Sequence, residues 1–152
     1  MRKKELDFSN LLSLGQGLYY LITGIWPLVS RRTFESVTGP KTDFWLVKTL
    51  GTLISVIGAV LVIAGVRRHT TIESSALAVG SAAGLAACDI VFVARRRISP
   101  VYLLDALSEI VLLGLWVVAL QNWRLPGRRV AYSRRRPVTL VPYPNQQKEK
   151  SL

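Results

Sequence analysis

The chain is 152 residues long, half of them hydrophobic, with a mean hydropathy of +0.32 and a formal net charge of +11. Its single Cys88 excludes an internal disulfide and a cysteine metal cluster, and a lone His69 supports neither haem nor zinc chemistry, so no cofactor and no metal is expected. A soluble bundle is excluded too, because runs such as 53–66 and 110–120 leave almost no polar face to meet water.

The apolar residues form four blocks, at 10–29, 43–66, 71–94 and 100–123. Each is near the ~20 residues that cross ~30 Å of hydrocarbon at ~1.5 Å per residue. The expected fold is therefore all-α: a four-transmembrane-helix bundle over 1–124, built from two antiparallel helical hairpins. The first block is too long for a signal peptide and lacks a small-x-small cleavage pattern, so it is expected to stay in the mature protein. Within it, Gln16 is expected to make an interhelical hydrogen bond.

The connection 30–42 carries Arg31, Arg32, Phe34, Glu35 and Lys41. Its Thr38-Gly39-Pro40-Lys41-Thr42-Asp43 stretch reads as a tight turn feeding a helix capped by Asp43, and a lid is the other reading of the same loop. The second helix bears Gly51, Gly58 and Gly65 at heptad spacing, and the third bears Ala76, Gly80, Gly84 and Cys88 at four-residue spacing. Small residues let helix backbones approach, so both seams are expected to face neighbouring helices, in the same chain, in a homo-oligomer or in another membrane protein. Thr70-Thr71-Ile72-Glu73 reads as a capping box before the third helix, and Ser99-Pro100 as a cap and first-turn proline before the fourth. The short connections 67–70 and 95–99 allow only antiparallel neighbours.

With four spans both termini share a side. That side collects Arg2, Lys3, Lys4, Arg67, Arg68 and eight Lys or Arg beyond the last helix, against six on the other, which are Arg31, Arg32, Lys41 and Arg95 to Arg97. The bias predicts both termini cytoplasmic, although the Arg95 to Arg97 cluster runs against it. After Arg124 the chain turns polar and proline-broken, which predicts a basic, disordered cytoplasmic tail over 125–152. Its Arg128, Arg129, Arg134, Arg135 and Arg136 suit anionic lipid headgroups beside the bilayer, at about 1 kcal/mol each. No nucleic-acid motif accompanies the charge, so no nucleic-acid partner is expected.

Four ionisable groups sit inside the apolar blocks: Lys48, Asp89, Asp105 and Glu109. Each such charge costs about 2.5 to 3.5 kcal/mol to insert, so an intramembrane ionisable residue marks a functional site by default. Counting rise per residue places all four in one leaflet. Asp105 and Glu109, spaced i, i+4, share a helix face with Tyr102 one turn nearer the interface. Carboxylates so placed repel if all are ionised and dry, so one holds a proton or a cation neutralises them. Two readings stay open. In one, a cavity lined by Asp89, Asp105, Glu109, Lys48 and Tyr102 binds or moves a proton, a cation or a small polar ligand, with Arg31, Arg32, Glu35, Lys41 and Arg97 in the loops above it. In the other, Lys48 and loop arginines pair with the acids as a structural latch in an accessory subunit. A membrane enzyme acting on a lipid-like substrate ranks last, because no nucleophile and base pair is visible. A faint tandem echo between 30–48 and 94–105 would give Lys48 and Asp105 matching places in repeated hairpins.

Through Trp26-Pro27-Leu28, Val37-Thr38-Gly39-Pro40-Lys41-Thr42-Asp43 with Trp45-Leu46-Val47, and Arg97-Ile98-Ser99-Pro100-Val101-Tyr102-Leu103-Leu104-Asp105-Ala106, the chain resembles a group of small bacterial four-helix membrane proteins without an assigned activity. The resemblance covers about 11–123 and implies a multi-pass protein of the bacterial inner membrane. In size and helix count alone the chain is also similar to the DoxX-like membrane proteins, a likeness that transfers no residues and no activity.

Overall fold

The computed structural model describes residues 7–124. The expected basic tail, with Arg128, Arg129 and Arg134 to Arg136, lies outside the described residues. Within them the chain is all helical: α1 (Phe8–Val29), α2 (Arg31–Thr38), α3 (Phe44–Val66), α4 (Ile72–Ala94) and α5 (Tyr102–Arg124). Three stretches, Phe44–Val66, Ile72–Ala94 and Tyr102–Gln121, are long and apolar enough to cross a membrane. By this measure of length and composition the chain is a membrane protein.

α1 packs most extensively on α3, and α4 on α5. The first pair is a close-approach zipper. A methyl group at Gly17 would lie 2.7 Å from the Gly58 carbonyl oxygen, one at Gly24 2.7 Å from that of Gly51, and one at Gly65 2.8 Å from that of Asn10. Asn10, Gly17 and Gly24 thus run antiparallel to Gly65, Gly58 and Gly51, a heptad on each helix, and only hydrogen fits where the backbones meet. Ser13 adds a hydrogen bond from its hydroxyl to the Leu61 carbonyl at 3.0 Å. At the far end the Asn10 side-chain oxygen accepts from both the backbone N–H (3.1 Å) and the hydroxyl (2.9 Å) of Thr70, which pins the α3–α4 turn.

The α4 seam differs from the expected one. Gly80, Gly84, Ala76 and Cys88 are exposed, and a methyl group at Gly80 or Gly84 would meet nothing within 4 Å. The buried face is instead Ser75, Ala78, Ala82, Ala86 and Asp89. Alanine suffices there because the α1 zipper engages α3, so α4 need not approach a neighbour at backbone distance. The capping box also sits one residue later than expected: Thr71 accepts from the Ser74 N–H and the Ser74 hydroxyl accepts from the Thr71 N–H. Asp43 occupies the N-cap position of α3 but makes no side-chain cap bond.

The connection 30–42 is itself mostly helix. Ser30 caps α2 by accepting from the Thr33 N–H, and Gly39, at φ 84°, ends it in a backbone region that disfavours any other side chain. Glu35 ties this segment together, accepting from Arg31 Nε at 3.0 Å and from the Lys41 backbone N–H at 3.1 Å. The hydrogen bond from Arg31, and then that from Lys41, hold the Glu35 carboxyl below the usual carboxylate range. Because the folded value is depressed, this link is complete above the unfolded value of 4.5 and is lost as pH falls through the folded one. The Lys41 amide proton, followed by NMR in micelles, is expected to hold a constant shift above that range and to move only below it. In Glu35→Gln it should lose the acidic transition altogether; an unchanged titration would show that another group governs the turn.

Candidate functional site

Two adjacent tyrosines at the middle of α1 face two acids one turn apart on α5. The Tyr19 hydroxyl donates to Asp105 Oδ1, and the Tyr20 hydroxyl donates to Glu109 Oε2 at 2.9 Å. Asp89, on α4, lines the same cavity as Asp105 and Glu109. Three acids thus converge from the α4–α5 pair onto α1.

Behind Tyr20 runs a fully buried polar chain. Trp116 Nε1 donates to Gln16 Oε1 at 2.7 Å, and Gln16 Nε2 donates both to the Ala78 carbonyl (2.9 Å) and to the Tyr20 hydroxyl (3.1 Å). The indole N–H is a donor only, so the Gln16 amide has one orientation and all its hydrogen-bonding capacity toward these partners is spent. The Tyr20 oxygen accepts from Gln16, and its hydroxyl donates to Glu109 Oε2. Glu109 is 0% exposed, yet its Oε1 has no partner; Asp89 is 9% exposed and its Oδ2 has none either. Buried acceptors without a donor are costly, by about 1–3 kcal/mol each and more when charged.

Both acids line a cavity of about 380 Å³ between the two helix pairs. Asp105 lines it as well, the other polar side chains of the wall are Tyr19, Tyr20, Thr23, Trp26, Thr38, Tyr102 and Ser108, and among the described residues no Lys, Arg or His lines it. α2 forms part of the wall through Phe34, Val37 and Thr38. The loop that carries the expected lid residues thus lies at the site through its apolar face.

The structure brings together Asp89, Asp105, Glu109 and Tyr102 of the expected set. Lys48 stands apart: it is exposed, with Nζ 5.9 Å from the Phe44 ring centre, while its neighbours Val47, Leu50 and Gly51 face the cavity. One residue is about 100° of helix, which is enough to turn Lys48 away. The tandem echo therefore does not give Lys48 and Asp105 equivalent positions. Arg31 lies 4.6 Å over the Phe44 ring and pairs with Glu35, Lys41 lies 5.0 Å over the Tyr102 ring, and Arg32 and Arg97 are exposed. Among the described residues none of the three acids forms an ion pair, and no three His, Cys, Asp or Glu side chains are placed to hold a metal ion.

Sequence reading missed Tyr19, Tyr20 and Trp116, and it assigned Gln16 to the interhelical contact without linking it to the acids. A signal was present. Tyrosines buried at the centre of a long apolar helix, a turn from a glutamine, need polar partners for their hydroxyl groups.

Chemically, the arrangement can accept hydrogen bonds, balance positive charge and carry protons. No family model, curated protein or solved structure matches this chain.

Proposed function

We propose that this chain is a four-helix, multi-pass protein of the bacterial inner membrane, with both termini cytoplasmic, whose carboxylate-rich cavity binds or moves a proton, a cation or a small polar ligand. One observation carries the reading: two residues that line the cavity, Glu109 and Asp89, each keep a buried carboxyl oxygen without a partner, and among the described residues no basic side chain lines that cavity. A cation or a shared proton supplies what the protein leaves out.

α1 serves as the fourth span. It is 22 residues long, and its polarity is inverted relative to a water-soluble helix: Ser9, Asn10, Ser13 and Gln16 are buried, while Leu11, Leu18, Ile22 and Ile25 are exposed. Such a helix fits lipid outside and hydrogen-bonding partners inside. The excess of Lys and Arg on the side of the termini supports their cytoplasmic placement, and the basic tail finds its partner in anionic headgroups.

The accessory-subunit reading, with the acids in interhelical ion pairs, needs basic partners that Lys48 and the loop arginines do not supply here. The two readings differ in sign. Asp105→Asn and Glu109→Gln each keep an acceptor for their tyrosine and remove one carboxyl group that has no basic partner among the described residues. In the purified protein at pH 7 both variants are expected to melt at or above the parent temperature, and the dependence of the parent's stability on pH between 4 and 9 should shrink. A loss of about 3–5 kcal/mol in either variant is the signature of a broken ion pair and would overturn the cavity reading.

A further inference from the structure

The cavity is far larger than a proton or a bare ion needs. At about 380 Å³ it falls in the range of sites for small organic molecules, about 300–1,000 Å³. Its walls are mostly apolar, and Tyr19, Tyr20, Trp26, Phe34 and Tyr102 bring five aromatic rings to it. Apolar walls favour an apolar body, and aromatic faces attract a cation. An inorganic cation fits less well, because hard ions take six or more oxygen ligands and no cluster of three acids is placed to begin such a shell among the described residues.

The acceptors define the head of the ligand. Tyr20 accepts from Gln16 and donates to Glu109 Oε2, and Glu109, which lines the cavity, keeps its buried Oε1 without a donor among the described residues. Asp89 Oδ2 is a second such oxygen on the opposite helix of the α4–α5 pair. A quaternary ammonium carries positive charge but no N–H to give them; a primary ammonium carries three. We infer that the cavity is a site for an organic primary amine, its ammonium donating to Glu109 and Asp89 and its apolar or aromatic body lying against Trp26, Phe34 and Tyr102. This assignment deepens the proposed function and rests on it.

The test is a binding series by calorimetry on the full-length protein in lipid nanodiscs. The probes are tryptamine, its trimethylated quaternary form, the neutral alcohol tryptophol, and Na⁺ and Mg²⁺ as simple salts. Tryptamine is expected to bind about tenfold or more tighter than either organic analogue, the value of a charge-assisted hydrogen bond. Glu109→Gln, which keeps an acceptor for Tyr20, should weaken tryptamine by a similar factor, and Phe34→Ala should weaken tryptamine and the quaternary form alike. Equal affinity for tryptamine and tryptophol, or for tryptamine and its quaternary form, overturns the assignment, and the parent series decides this even if a variant does not fold. Tight binding of Na⁺ or Mg²⁺ that depends on Glu109, with no amine binding, overturns the amine and leaves the broader reading in place. Silence toward every cation, with a stability that does not change between pH 4 and 9, overturns both.

Discussion

Gly58→Ala is expected to destabilise the protein in detergent by about 3 kcal/mol, at the upper end of what overpacking costs. The added methyl group would lie 2.8 Å from the Gly17 carbonyl oxygen and 2.8 Å from the Leu21 backbone nitrogen. Both are backbone atoms in the middle of α1, so no rotamer change relieves the contact, and the helices must separate by more than half an ångström. Separation there also loosens the flanking pairs, Gly24 with Gly51 and Asn10 with Gly65, because all three lie on one rigid seam. Gly84→Ala is the matched control. That position is exposed, nothing lies within 4 Å of the added methyl group, and removing a helix glycine should raise stability by about 0.5–1 kcal/mol. Equal melting temperatures for the two variants would falsify the zipper as the chief contact between α1 and α3.

The second large effect is expected at Gln16. Gln16→Leu keeps the volume and removes three hydrogen bonds at once, those with Trp116, Ala78 and Tyr20. Interhelical hydrogen bonds within membranes contribute about 0.6 kcal/mol on average and up to about 1.7, so the loss should reach about 2–4 kcal/mol. The excess over the average comes from the Trp116 N–H, which is fully buried and has no alternative acceptor in view. A double-mutant cycle with Trp116→Phe separates this pair from general packing. The two substitutions should be less than additive by about 1 kcal/mol, because each alone already abolishes the bond. Strict additivity would mean that the indole and the amide do not act as a unit.

Long-range order was legible in the sequence where a single strong force acts, and less so where geometry decides. Each of the four apolar blocks contains one long helix, and three of these helices are long and apolar enough to cross a membrane. The Gly51, Gly58 and Gly65 seam was visible because seven residues return to one helix face. Its counterpart on α1 was obscured because its first member is Asn10, which contributes backbone rather than a small side chain to the contact. The Gly80 and Gly84 spacing carried the same pattern yet points outward, since a motif states what a helix can pack against and not which helix arrives. Asp89, Asp105 and Glu109 stood out as charges in hydrocarbon. Lys48 stood out equally, but depth along a helix does not fix azimuth. α2 was hidden because one short, polar helix has neither the length nor the apolar run of a span. Its Phe34 lines the cavity directly, held there between the Trp26 and Phe44 rings at 5.7 and 6.5 Å.

The placement of α1 has a consequence for the order of biogenesis. It is synthesised first, but the partners of its polar face arrive in sequence: Leu61 lies 48 residues later, Ala78 62, Glu109 89 and Trp116 100. Once α3 has emerged, the heptad zipper can close and shelter Ser13. Gln16, Tyr19 and Tyr20 must wait for α4 and α5, and until then their polar groups lack the partners they have in the fold. Of the described helices the last to leave the ribosome is thus the one that completes the first, and a chain cut short before Trp116 leaves Gln16 without one of its partners.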